Sequence, residues 1–182
     1  MDDRTKNLLT RWRTRAGKMA LSALLNRQTS APVTTSYGDV KRIGLLIPVH
    51  GQDDLQWIYN LCDRLSRDGK DCELLGFSVL PVEVPTHPNV TILGSEDLKW
   101  NFIPKEDAIK SFISTNFDLL LNLCPDNGCL PLDYTAIKAH AALRIGRYES
   151  TLTNVYGVMV KGDFADSKGL LKAITRYLKK LA

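Results

Sequence analysis

No part of this sequence is apolar for long enough to cross a bilayer. The longest runs, such as Phe117 to Leu123, are interrupted by polar residues (there Asp118 and Asn122) and fall far short of the roughly 20 residues a helical span needs. No export signal is expected either: Asp2 and Asp3 precede the basic residues, and the apolar stretch 19–25 is not followed by a small-residue cleavage pattern. The expected location is therefore the cytoplasm. Cysteine is scarce, and Cys62, Cys72, Cys124 and Cys129 have neither a C-x-x-C spacing nor an accompanying Cys/His cluster, which argues against a zinc site and thioredoxin-like chemistry. They read as free thiols. Cys124 and Cys129 fall in one loop and can approach each other, but disulfides are rare in a reducing compartment. The glycine-rich phosphate loops are also missing, since neither G-x-G-x-x-G nor G-x-x-x-x-G-K-[ST] occurs. No cofactor or metal is expected.

What is present is enough apolar side chain, 44% of 182 residues, to bury the core of one domain. Charge is distributed unevenly. Residues 1–30 hold Arg4, Lys6, Arg11, Arg13, Arg15, Lys18 and Arg27 against Asp2 and Asp3, a net +5, whereas residues 31–182 sum to −1. Such asymmetry points to a polyanionic partner for the leading segment: RNA, DNA or an anionic membrane surface.

Within that segment Leu8, Leu9, Trp12, Ala16, Met19, Ala20, Ala23 and Leu24 recur at three- and four-residue intervals, as the apolar face of a helix spanning residues 4–27 requires. Arg4, Arg11, Arg15 and Lys18 form a second stripe. Gly17 weakens such a helix by about 1 kcal/mol relative to alanine, so it needs a partner surface. The division expected is a basic amphipathic helix at 1–30, a polar linker at 31–40 and a folded domain at 41–182.

In the domain, Arg42 to Val49 and Phe117 to Leu123 read as strands buried on both faces. Further strands are expected at 73–80, 89–93, 143–146 and 155–160. Helices are expected after Asp53 and Asp54, from Pro104, from Pro131 through His140, and over 167–181. Apolar strands alternating with amphipathic helices predict an α/β fold: a single Rossmann-like domain with a mainly parallel sheet covered by helices on both faces.

Ligands of such sheets gather beyond the carboxyl ends of the strands. In the first of these loops, Pro48-Val-His-Gly-Gln-Asp-Asp54, Asp53 and Asp54 occupy the positive end of the helix dipole and repel a phosphate. His50 is a candidate general base there. Asp126, Asn127 and Asp133 form a second polar group, suited to hydrogen bonding a small polyhydroxy ligand, with Arg147 on a later strand end; turn chemistry is the favoured account of Pro125-Asp126-Asn127-Gly128. An enzymatic reading thus uses His50, Asp126 and Asp133 for catalysis and Asp53, Asn127 and Arg147 for binding.

Two stretches carry a resemblance: Leu98-Lys-Trp-Asn-Phe-Ile-Pro-Lys105, and Phe117-Asp-Leu-Leu-Leu-Asn-Leu123 running through Leu130-Pro-Leu132 to Ile145-Gly-Arg-Tyr148. With the basic leading helix they resemble an uncharacterised domain family of Bacteroidota bacteria over roughly the whole chain, a resemblance that implies no activity. The second stretch also resembles the amino-terminal half of heptosyltransferase-type GT-B glycosyltransferases, which implies a Rossmann-like half-domain. Those enzymes hold the sugar nucleotide with a second domain that is not expected here, and Asn122 stands where their pattern prefers an acid.

The leading expectation is a non-enzymatic binding or adaptor protein whose basic helix attaches it to RNA or to a ribonucleoprotein such as the ribosome. Arg4, Lys6, Arg11, Arg13, Arg15 and Lys18 would contact phosphates, and Trp12 would interleave them as an aromatic. The alternatives are a small-molecule or glycosyltransferase-like enzyme at the strand ends, and a peripheral membrane adaptor. A protein docked on the helix is a further candidate partner.

Overall fold

The computed structural model describes residues 3–25, 39–82, 87–125 and 128–181. The expected linker falls largely outside them, as do Asp126 and Asn127. In chain order the elements are α1 (Asp3–Leu25), β1 (Arg42–Val49), α2 (Gln52–Arg67), β2 (Asp71–Ser78), β3 (Val90–Leu93), α3 (Glu106–Ser114), β4 (Asn116–Asn122), α4 (Leu130–Lys138), β5 (His140–Arg147), β6 (Val158–Val160) and α5 (Ser167–Leu181).

The six strands form one sheet in the order β3-β2-β1-β4-β5-β6, and every pairing is parallel. This is the α/β architecture that the alternating pattern predicts. β1 lies at the centre and is buried from Ile43 to Val49, which is why its sequence is a continuous apolar run rather than an alternation. The chain leaves β1 toward β2 and later returns on its other side as β4, so the strand order reverses at the β1/β4 boundary. Loops diverge there, and a crevice opens beyond the strand ends.

Two cores sandwich the sheet. On one face Leu55, Ile58 and Leu61 of α2 and Leu170 and Ile174 of α5 pack on Ile43, Leu45 and Ile47 of β1. On the other, Ile109 and Phe112 of α3 and Leu132, Ala136 and Ile137 of α4 pack with Leu46 of β1 and Leu120 of β4, and Ala20, Leu21, Leu24 and Leu25 of α1 lie against this second core. No helix among the described residues is long and apolar enough to cross a membrane.

Several boundaries differ from the sequence reading; β2, for example, spans Asp71–Ser78 rather than 73–80. β5 begins at His140, where a helix end was expected, because Asn116 and Phe117 of β4 offer parallel partners to His140 and Ala141. Conversely, β6 starts at Val158 rather than Val155. Val155 and Tyr156 are buried but serve in the preceding loop, where the Val155 amide donates to the Leu152 carbonyl.

Candidate functional site

The basic helix docks on the domain, along a face rotated from the one its apolar pattern suggests. Leu8, Trp12 and Met19 remain 64%, 62% and 67% exposed, whereas Gly17 is buried and Leu21, Leu24 and Leu25 pack on the core. The platform beneath is the 98–105 segment. Leu98 and Pro104 form an antiparallel bridge, the Lys99 amide donates to the Ile103 carbonyl at 2.7 Å, and Phe102 takes a left-handed φ of 62°, rare for an aromatic residue. Three contacts join helix and platform. Trp12 stacks on Trp100 with ring centroids 5.3 Å apart. The Arg13 guanidinium lies 4.3 Å from the Phe102 ring centroid, and its Nε donates to the Trp100 carbonyl. At Gly17 the helix backbone comes so close that an added Cβ would collide with the Asn101 carbonyl and the Leu130 side chain. Gly17 therefore makes the close approach possible, whatever it costs in helix propensity.

Docking sorts the cations. Arg13 is engaged in packing, while Arg11, Arg15 and Lys18 are exposed; the surroundings of the Arg4 and Lys6 side chains fall outside the described residues. On a 3.6-residue period Leu8, Trp12, Arg15 and Met19 share the outward stripe, with Arg11 and Lys18 on one flank. Trp100, 56% exposed, extends this surface beside Trp12.

The second candidate is the crevice at the sheet's switch point. A hollow of about 260 Å³ is lined by His50, Val49 and Phe77 at strand ends and by Cys124, Gly128 and Cys129 before α4. His50 is exposed, and its amide donates to Asp54 Oδ2 at 2.9 Å. Asp54 thereby steadies the loop entering α2. Asp53, in the first turn of α2, is exposed and is not among these lining residues.

Behind the hollow lies a buried polar network. Asn122 Nδ2 donates to Asp133 Oδ1 at 3.1 Å and to the Tyr156 hydroxyl at 2.7 Å, and Asn122 Oδ1 accepts from the Cys124 amide at 3.1 Å. An acid at 122 would set two carboxylates face to face and lose both donors, which accounts for the asparagine. Asp133 is only 5% exposed, and burial raises its carboxyl to about 6 against the opposing pull of Arg147 and the Asn122 hydrogen bond. Arg147, 8% exposed, bonds Glu149 Oε2 through Nη1 at 3.0 Å; its Nη2 has no hydrogen-bond partner among the described residues. Of the residues proposed for an enzyme site, Asp133 and Arg147 thus come together, and His50 stands at the hollow's rim.

A third feature escaped the sequence reading. A broad hollow between α2 and α5 is lined by Arg64, Lys168, Lys172 and Arg176 beside Trp57, with Lys168 Nζ 5.6 Å from the Trp57 ring centroid. The four-residue spacing of Lys168, Lys172 and Arg176 was a legible signal. Their meeting with Arg64, from a helix a hundred residues earlier in the chain, was not.

No described group of three or more His, Cys, Asp or Glu residues is placed to hold a metal ion. A family model described as a family of unknown function (DUF6913) matches residues 13–181, a span that includes α1 from Arg13 onward and its platform. No curated protein matches the chain.

Proposed function

The chain belongs to this family of unknown function, and from its own surface we propose a non-enzymatic binding protein that attaches through the outward face of α1 to single-stranded RNA, free or within a ribonucleoprotein such as the ribosome. One observation carries the reading: a docked, fixed helix presents Arg11, Arg15 and Lys18 to solvent beside a stacked, half-exposed tryptophan pair. Cations that track phosphates, interleaved with aromatic faces on which bases stack, are the chemistry of sequence-tolerant single-strand binding.

The test is titration with single-stranded RNA at several salt concentrations. Three phosphate contacts at about −0.7 each give a log–log slope of about −2. Replacing Arg11 and Arg15 with glutamine should weaken binding to every sequence alike and flatten the slope by about 1.4. Trp12→Ala should lower affinity with the slope unchanged, because stacking releases no counterions. Absent RNA binding together with flotation on anionic liposomes would replace this reading with a membrane-surface one, for which the exposed Leu8 and Met19 are suited. Failure in both assays would leave α1 as a packing element or a protein-docking arm.

The enzymatic alternative, including a glycosyltransferase-like one, draws support from the hollow at the switch point and the buried Asp133 beside it. It expects His50→Ala, in a stably folded chain, to abolish cellular function in a complementation assay. The RNA reading expects that variant to complement.

A further inference from the structure

Cys124 and Cys129 both line the hollow at the β1/β4 boundary. Cys124 follows the end of β4, and Cys129 occupies the N-cap position of α4. Their thiols share a hydrogen bond, and the Cys129 backbone amide also donates to the Cys124 sulfur, while the first-turn amide of α4, that of Leu132, donates to the Cys129 sulfur. The Arg147 guanidinium acts on it through space. A thiol that accepts a backbone amide and faces an arginine is in an environment that favours a thiolate. The hydrogen bond from Cys129 is the main influence lowering Cys124, and burial and the charge of Asp133 oppose it; the same bond, with burial, holds Cys129 high. Of the two, Cys124 is thus the thiol that ionises first.

We propose that Cys124 and Cys129 are a two-electron redox site that hydrogen peroxide oxidises to an intrachain disulfide. Cys124 is only 3% exposed and is reached through the hollow, which selects an oxidant about the size of water over a bulky disulfide. The Cys124 thiolate attacks one peroxide oxygen, the O–O bond breaks, and the departing hydroxide takes a proton to leave as water. Cys124 is then a sulfenic acid. Cys129, deprotonated in turn, attacks that sulfur; the S–O bond breaks, a second water leaves and the S–S bond forms. Two thiols have lost two electrons and one peroxide has become two waters. The other thiol pair is an internal control. Cys62 of α2 and Cys72 of β2 lie 3.7 Å apart, but both are sealed in the core between that helix and the sheet, so proximity alone is shared and the hollow is not.

The experiment treats the full chain with one equivalent of hydrogen peroxide at pH 7, alkylates free thiols after denaturation, and maps the products by mass spectrometry without reduction. A 124–129 disulfide should form at least tenfold faster than any oxidation of Cys62 or Cys72. Cys129→Ser should stop at a sulfenic acid on Cys124 that dimedone captures, and Cys124→Ser should leave Cys129 unlabelled. Equal rates for the two pairs, a 62–72 disulfide forming first, or dimedone capture at Cys129 would each overturn the proposal. The wild-type measurement stands even if a serine variant misfolds, and it is independent of whether α1 binds RNA.

Discussion

Asp133 is held by burial at about 6, above the value near 3.9 that an unfolded chain gives it. Between these values the folded protein keeps a proton that the unfolded chain releases, so stability falls as pH rises from about 4 to about 6 and stays at the lower level above. The two-unit shift corresponds to roughly 2–3 kcal/mol. Denaturant melts from pH 4 to 7 should therefore decline by an amount of that order, and Asp133→Asn should remove this decline, since its amide oxygen can still accept from Asn122. A decline of equal size in the variant would assign the effect to another group. Gly17 is a second residue where position decides the sign. On an isolated helix Gly17→Ala gains about 1 kcal/mol; here the methyl group meets the rigid Asn101 carbonyl. The variant should be destabilised by at least that amount and lose the contact of Trp12 with Trp100, measured by thermal melts and near-ultraviolet circular dichroism. A stabilised variant would mean that α1 sits less closely than described.

At the scale of elements, most helices and strands were readable because each lays one apolar periodicity on a core that other elements complete. The Leu170, Leu171, Ile174 and Leu178 stripe predicts a helix over 167–181, and the structure has Ser167–Leu181. The face α1 buries was not readable. Leu8, Trp12 and Met19 satisfy the helical period as well as Leu21 and Leu24 do, and only the shape of the 98–105 platform favours a glycine and an arginine at the contact. Because Leu21, Leu24 and Leu25 are only partly covered, removing α1 should cost about 3 kcal/mol. Residues 41–182 should then unfold in one cooperative transition lowered by on the order of 10 °C. A transition without a sigmoidal step would make α1 part of the indispensable core.

For the whole molecule, α1 lies on one face of the sheet, with α3 and α4, and the cationic groove between α2 and α5 lies on the other. Summed charge concealed this, because the acids elsewhere in residues 31–182 bring their net to −1. If α1 is the RNA face, changing Lys168, Lys172 and Arg176 together to glutamine should shift RNA affinity by no more than about twofold, as expected for distant sites without shared partners. A loss as large as that from the Arg11 and Arg15 variant would move the interface to the α2/α5 groove, or extend it there. By itself the sequence determined the fold class and the approximate order of elements, since periodicity and turn residues act over a few positions and need no partner to be read. It also marked the concentration of charge at the amino end. Tertiary structure alone decided which cations stay in solvent, that Asn122, Asp133 and Tyr156 join in one buried network, and that Cys124 and Cys129 share one hollow. Each of those depends on side chains brought together from separate elements or on the exact path of a loop, and local sequence pattern carries no information about either.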